Sequence, residues 1–322
     1  MIKDVQELIE SEKGPTVKGA DFFSSYHTAD EVFDWMKALT ANHTDLVDLI
    51  SIGQTFEGRN IWGFKISSNS SYLNKPNVVF HGAEHAREWI SAAVVSYMAN
   101  ELITQYGKDA EITNLLDAFD FTIIPILNID GYRYSHEKDR MWRKNRQPNA
   151  FCTGTDMNRN WGFKWEGKGS SAFPCSEVYR GKEPFSAPET QSMRDYLASL
   201  NNVVSYIDFH AYSQLWMYPW GFSCSNKSPD YKKQKQVADA AVNAIEKINN
   251  VKFTAFQTFK KVNGDSIDYA YATLNITYSY AVELRDTGRY GFMLPPEYIV
   301  PSGKETFAGL KAMLNEIVKL SQ

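Results

Sequence analysis

The sequence predicts a single-domain α/β fold, and three observations point there. Short apolar, β-branched runs alternate with longer helical patterns. No repeat or low-complexity block interrupts that alternation. The 322 residues, 43% of them hydrophobic, supply one large core without forcing a second domain.

Taken in chain order, the first helix is expected over residues 28–39, where Thr28 stands as a cap and Glu31, three residues on, completes a capping-box pattern. Residues 47–52 and 61–66 read as strands. Residues 77–80 form a third, followed at once by Gly82 and then by a helical stretch over 87–105. A helix over 111–118 and a strand over 121–127 come next. The second half repeats the alternation: helix 188–200, strands 203–209 and 215–218, helix 231–248, strand 277–283 and helix 304–320. Several of these strands are apolar enough to be buried on both faces. In such sheets, sites gather where strands end and loops begin, and His85, His210 and Glu283 all stand at or just past strand ends.

The formal net charge of −4, with both signs interspersed, gives no basic stripe and argues against a nucleic-acid partner. No apolar run approaches the ~20 residues that cross a bilayer, and the N-terminus lacks the layout of a signal peptide, so the chain reads as soluble, with no membrane partner. Four N-x-[ST] sequons, at Asn42, Asn69, Asn226 and Asn275, exceed chance and suggest a secreted, extracellular protein. Cys152 and Cys175 flank a stretch rich in Gly, Ser and Asn that a staple would tie down, leaving Cys224 as an inert thiol. Nothing in the sequence demands a partner chain, and a monomer is the default.

His85-Ala86-Arg87-Glu88 carries the first chemical signal. An imidazole and a carboxylate three positions apart, directly after a strand, can supply two ligands to zinc, and His210 is the best candidate for a third. Alone, His-x-x-Glu more often marks a polar surface. The overlapping His81-Gly82-Ala83-Glu84-His85 fits H-x-x-E-H, but that motif needs both histidines on one helical face. Here Gly82 follows a β-type run and the helix starts only near Arg87, so His81 and His85 are not expected to share a face.

Glu283 ends an apolar strand, where a half-buried carboxylate could accept a proton from a water; position alone leaves an ion pair to Arg285 equally open. The segment 140–146 holds four cations, Arg140, Arg143, Lys144 and Arg146, which by themselves could be a solvated surface. Asp156-Met157-Asn158-Arg159-Asn160-Trp161 sets amides and a guanidinium beside an aromatic ring, the groups that hold a carboxylate.

Together these strings resemble the zinc metallocarboxypeptidases of the pancreatic A/B type (funnelins, peptidase family M14), from about Phe22 to the C-terminus. The resemblance rests on His85-Ala86-Arg87-Glu88-Trp89-Ile90, Met141-Trp142-Arg143-Lys144, Asn158-Arg159-Asn160-Trp161, His210-Ala211-Tyr212-Ser213-Gln214-Leu215, Ser266-Ile267-Asp268 and the segment 283–292. It implies a mixed, twisted central sheet flanked by helices, and one zinc ion per chain held by His85, Glu88 and His210. Glu283 then matches the general base, Arg143 the oxyanion cation, and Asn158 with Arg159 the grip on a free C-terminal carboxylate. Arg87 and Tyr212 fall at neighbouring subsites, Arg140 at an accessory guide position, and Asp156 at a carboxylate that orients His85. The family disulfide falls on Cys152 and Cys175. Residues 1–20 resemble the end of an inhibitory prosegment, with the catalytic domain over 21–322. A tryptic-type protease would cut at Lys13 or Lys18, and the mature enzyme would begin near Gly19.

Two departures bear on substrate choice. The family carries a mobile tyrosine shortly before its Ser-Ile-Asp string, and here Lys260 stands at that position, which predicts altered affinity with the chemistry retained. The pocket-floor position falls on Ile267, with room beside Ala281, favouring bulky apolar or aromatic terminal residues. Asp265 on the pocket wall is the alternative, attracting a terminal Lys or Arg. The expected function is a zinc exopeptidase acting on peptides or proteins with a free C-terminal carboxylate. The rival readings are a zinc deacylase of N-acyl amino acids on the same scaffold and a peptide-binding relative that has lost catalysis.

Overall fold

The apolar runs build one mixed sheet with helices on both faces. The computed structural model describes residues 22–69, 74–258 and 261–322. Its strands are β1 (Val47–Gln54), β2 (Asn60–Ile66), β3 (Asn77–Gly82), β4 (Asp120–Ile124), β5 (Val203–Ala211), β6 (Leu215–Tyr218), β7 (Thr254–Gln257) and β8 (Tyr278–Leu284). Their spatial order is β1-β2-β4-β3-β5-β8-β6-β7. The central run β4-β3-β5-β8 is parallel throughout, and antiparallel pairs β2-β4 and β8-β6 bound it. The helices are α1 (Ala29–Ala41), α2 (Trp89–Gln105), α3 (Ala110–Ala118), α4 (Ile129–Glu137), α5 (Pro188–Ser199), α6 (Tyr231–Asn249), α7 (Ser266–Leu274) and α8 (Ile299–Leu320).

Because side chains alternate across a strand, each central strand feeds two cores. Val78, Phe80, Ile207, Phe209 and Val282 join one, packed under α1, α2, α3, α6 and α8. Val79, Ile124, Tyr206 and Ala281 join the other, under α5 and α7. This second face matters for function. Period-two alternation puts Asp208 and His210 on the side of Tyr206, and Glu283 on the side of Ala281.

Thr28 caps α1 as expected: its hydroxyl accepts from Glu31 N, and Glu31 returns a bond to Thr28 N. The expected strand over 121–127 stops at Ile124, since Pro125 has no N–H to give the ladder. The last helix starts at Ile299, ahead of the expected 304, because Pro301 is tolerated in a first turn. Among the described strands and α-helices, three lie outside the expected set: β7, α4 and α7. Cys152 and Cys175 are disulfide-bonded, with Cα atoms 5.1 Å apart, and Cys224 is a free, exposed thiol. Among the described residues, no helix is long and apolar enough to cross a membrane. Residues 1–20, with Lys13, Lys18 and Gly19, lie outside the described residues.

Candidate metal centre

The chain leaves β3 at Gly82, where a Cβ would lie 2.7 Å from Ser91 O, so only glycine lets the strand end approach α2 this closely. Ser91 then locks the turn. Its hydroxyl donates to Glu88 O at 2.7 Å and accepts from Ala83 N at 2.8 Å. Asn128, fully buried, donates to both Glu84 O and Lys144 O, which ties this turn to the loop bearing Arg143. Ala86 N adds a bond to Arg143 O at 3.0 Å. His81 stays on the strand, bonded to Tyr206 Oη at 2.7 Å, and His85 sits in the turn, so the two histidines share no helical face.

His85, Glu88 and His210 converge. Glu88 Oε1 lies 2.9 Å from His85 Nδ1, and Glu88 Oε2 lies 2.9 Å from His210 Nδ1. All three are buried. Burial opposes ionisation of Glu88, but the two imidazoles outweigh it and hold the carboxyl well below the usual range. The opposite ring nitrogens are also engaged: His85 Nε2 is 3.1 Å from Asp156 Oδ1, and His210 Nε2 is 2.9 Å from Asp208 Oδ2. Burial likewise opposes ionisation of Asp156, and Arg143 and Arg159 hold its carboxyl low.

Glu84 is a second carboxylate within reach, since Glu84, His85 and His210 can bring one ligand atom each within 4.8 Å of one another. The geometry favours Glu88. Glu84 Oε2 lies 3.7 Å from His210 Nε2, the nitrogen already 2.9 Å from Asp208, and Glu84 Oε1 accepts from Trp161 Nε1. Burial and the neighbouring Asp208 push Glu84 well above the ordinary carboxyl range, so it is the poorer anionic donor. Two imidazole nitrogens and an ionised carboxylate are a donor set that fits zinc.

A cavity of about 210 Å³ opens beside these side chains and is lined by His85, His210, Arg143, Asn158, Arg159 and Glu283, among others. Glu283 is half-buried, with Oε2 lacking a hydrogen-bond partner, and burial, then Glu88, pushes its carboxyl up to about 8. It makes no ion pair with Arg285, which binds Glu305. Arg143 donates Nε and Nη2 to Asp156 Oδ2, at 3.1 and 2.9 Å, and its Nη1 stands 4.0 Å from Glu88 Oε1. Arg159 is fixed through Nε to Gly169 O at 2.8 Å and through Nη1 to Asn158 O. The Asn158 amide turns inward, with Oδ1 accepting from Ser266 N at 3.0 Å and Nδ2 near Asp208.

Asp265, Ile267 and Ala281 line the same cavity with Met217, Tyr218 and Val262. Asp265 Oδ1 caps α7 by accepting from Asp268 N, whereas Oδ2 is buried without a partner. Arg87 stacks over Phe292, which also packs on Tyr212, and these three stand outside the cavity lining. Arg140 is fully buried over the Trp89 ring and donates to Arg87 O and Phe292 O, so its guanidinium braces backbone and does not line the cavity. Lys144 and Arg146 are structural too, the first bonded to Pro174 O and the second stacked on Tyr134. Lys260 lies outside the described residues.

Sequence reasoning assigned no site role to Asp208, Glu84 or Ser266, although Glu84 stands in the H-x-x-E-H string and Ser266 in the family's Ser-Ile-Asp string. Asp208 had a legible signal, an acid inside the apolar run Tyr206-Ile207-Asp208-Phe209, where an unpaired charge would be costly.

The chain matches the family described as Zinc carboxypeptidase over residues 32–309. It is 42% identical over 303 residues to a metallocarboxypeptidase A-like protein of Trichophyton verrucosum, covering 92% of this chain and 71% of that one. It is also 39% identical over 332 residues to a protein of Paracoccidioides brasiliensis named inactive metallocarboxypeptidase ECM14, covering 94% of this chain and 56% of that one. The crystal structure of thrombin activatable fibrinolysis inhibitor superposes with a TM-score of 0.93 at 35% identity, covering 98% of this chain and 81% of that one. With its mixed sheet and its His, Glu and His donors at the parallel strand ends, this chain belongs to the zinc carboxypeptidases of peptidase family M14 and is a peptide hydrolase.

Proposed function

We propose that His85, Glu88 and His210 hold one zinc ion, and that the cavity beside them hydrolyses the last peptide bond of substrates with a free C-terminal carboxylate. The observation that carries this reading is the placement of both Glu88 oxygens 2.9 Å from the Nδ1 atoms of the two histidines. When bound, zinc supplies a Lewis-acid charge that polarises the scissile carbonyl and makes a water more acidic. Arg159, with Asn158 behind it, meets the terminal carboxylate and spends that binding energy on aligning the bond to be cut. Glu283 takes a proton from the attacking water as the new C–O bond forms, then delivers it to the amine nitrogen as the C–N bond breaks. Arg143, held in place by Asp156, meets the oxyanion.

The terminal residue enters the pocket of Ile267, Ala281, Met217 and Val262, whose apolar surface favours bulky apolar or aromatic side chains. The partnerless Asp265 Oδ2 on that wall supports a secondary acceptance of Lys or Arg. Arg87 and Tyr212 serve residues further from the terminus, Arg140 braces Arg87, and Lys260 replaces the family's tyrosine. The disulfide and the exposure of Asn42, Asn69, Asn226 and Asn275 support a secreted enzyme, acting as a monomer after tryptic-type activation.

Mass analysis of matched peptides with free and amidated C-termini tests the reading. Stepwise loss of residues from the free peptide alone is expected. Equal turnover of the amidated peptide contradicts it, and exclusive turnover of N-acyl amino acids favours a deacylase.

A further inference from the structure

Asp208 is completely buried in the middle of an apolar strand, between Ile207 and Phe209, where the fold has no use for a charge. Its surroundings account for it. Oδ2 accepts from Ser266 Oγ at 2.6 Å, faces His210 Nε2 at 2.9 Å, and lies 3.4 Å from Asn158 Nδ2. Oδ1 faces His81 Nε2 at 3.6 Å, too long for a hydrogen bond, and that nitrogen already bonds Tyr206 Oη at 2.7 Å. His210 is therefore the closest ring to Asp208, and the pairing repeats on the other side of Glu88, where Asp156 faces His85 Nε2 at 3.1 Å.

A histidine that presents Nδ1 to a metal carries its proton on Nε2 and needs an acceptor there, which fixes both tautomer and ring angle. We propose that Asp208 is a positioning residue that holds His210 with Nε2 protonated and Nδ1 turned to Glu88, and that ties this imidazole through Ser266 to Asn158 on the substrate wall. The inference rests on His210 as a zinc ligand. In the structure Asn158 Nδ2 donates to His210 Nε2 at 2.9 Å, and Asp208 Oδ2 stands at ion-pair distance from the same nitrogen; a metal on Nδ1 would place the proton on Nε2, which then turns from accepting the Asn158 amide to donating to Asp208. Ser266 N donates to Asn158 Oδ1, which closes the link from metal ligand to substrate contact.

The test is the zinc dissociation constant of the folded apo-protein, measured by chelator competition for wild type, Asp208→Asn and His210→Ala. Asp208→Asn is expected to bind zinc about 10- to 100-fold more weakly, the usual effect of losing a carboxylate behind a ligating histidine. An affinity within twofold of wild type overturns the proposal. Wild-type affinity in His210→Ala instead overturns the ligand assignment, so the two failures are distinguishable. Should Asp208→Asn not fold, nitrogen-labelled histidine NMR of the zinc-loaded wild type decides. A His210 Nε2 proton protected from solvent exchange is expected, and a freely exchanging one overturns the proposal.

Discussion

His210 on β5 and Glu283 on β8 are register partners across a parallel strand pair. Their side chains emerge on the same face at the same level, and β3 ends beside them on the way to His85. Hydrogen-bonded register thus sets the distance from the imidazole to the carboxylate, so this part of the site is as rigid as the sheet.

Glu283→Gln keeps the shape of that side chain and removes its capacity to accept a proton. A fall of more than about 100-fold in kcat with little change in KM is expected, because the lost interaction belongs to the transition state. Steady-state kinetics check it, and a near-normal kcat removes Glu283 as the base.

The two cavity arginines should fail differently. Arg143→Ala is expected to lower kcat by about 100- to 1000-fold, as loss of an oxyanion donor does. Arg159→Ala should mainly raise KM and erase the preference for free over amidated C-termini. Identical kinetic signatures would show that the roles are misassigned.

Asp265 gives a pH test. Burial pushes its carboxyl up to about 6, against an unfolded value of about 3.9; the Asp268 backbone N–H and the Arg159 guanidinium oppose the rise, and the Asp208 charge adds to it. A raised folded pKa means that the native state holds the proton longer. Its contribution to stability is full below pH ~4 and is lost as pH rises through ~6. Asp265→Asn, which keeps a good N-cap for α7, should therefore gain in melting temperature over wild type between pH 4 and 7. In wild type, Phe should be released faster than Lys, and the gap should narrow as pH rises through the same window. A Lys-to-Phe ratio that is flat with pH contradicts the role given to Asp265.

Replacing Cys152 and Cys175 by Ser opens a loop of sequence separation 23 and should cost about 3 kcal/mol, chiefly through the unfolded chain. Denaturant titration of both forms checks this, and a loss below about 0.5 kcal/mol would mean that the loop is held by its other contacts.

The strands and long helices were legible because their apolar periodicity is strong, and the capping box at Thr28 reads directly from Thr and Glu at the right spacing. Helix α4 was not, because its nine residues are mostly polar, with Gly131 near the start; its one cue was the Asn128 cap. Helix α7 had caps at both ends, Asp265 and the left-handed Asn275, on a stretch only nine residues long. Edge strand β7 is half-buried and four residues long, too short to show a period. Within the site, residue types at strand ends could be read as ligands. What packs behind them was legible only in part: Asp208 and His210 stand two apart on β5 and share a face, whereas the approach of Ser266 to Asp208 depends on how α7 lies across the second face.

Zinc content after dialysis, measured on wild type, Glu84→Gln and Glu88→Gln, tests the central claim most directly. One zinc per chain in wild type and in Glu84→Gln, with little or none in Glu88→Gln, is the predicted result. Retention by Glu88→Gln together with loss in Glu84→Gln would contradict it, placing the metal on the opposite face of the two imidazoles.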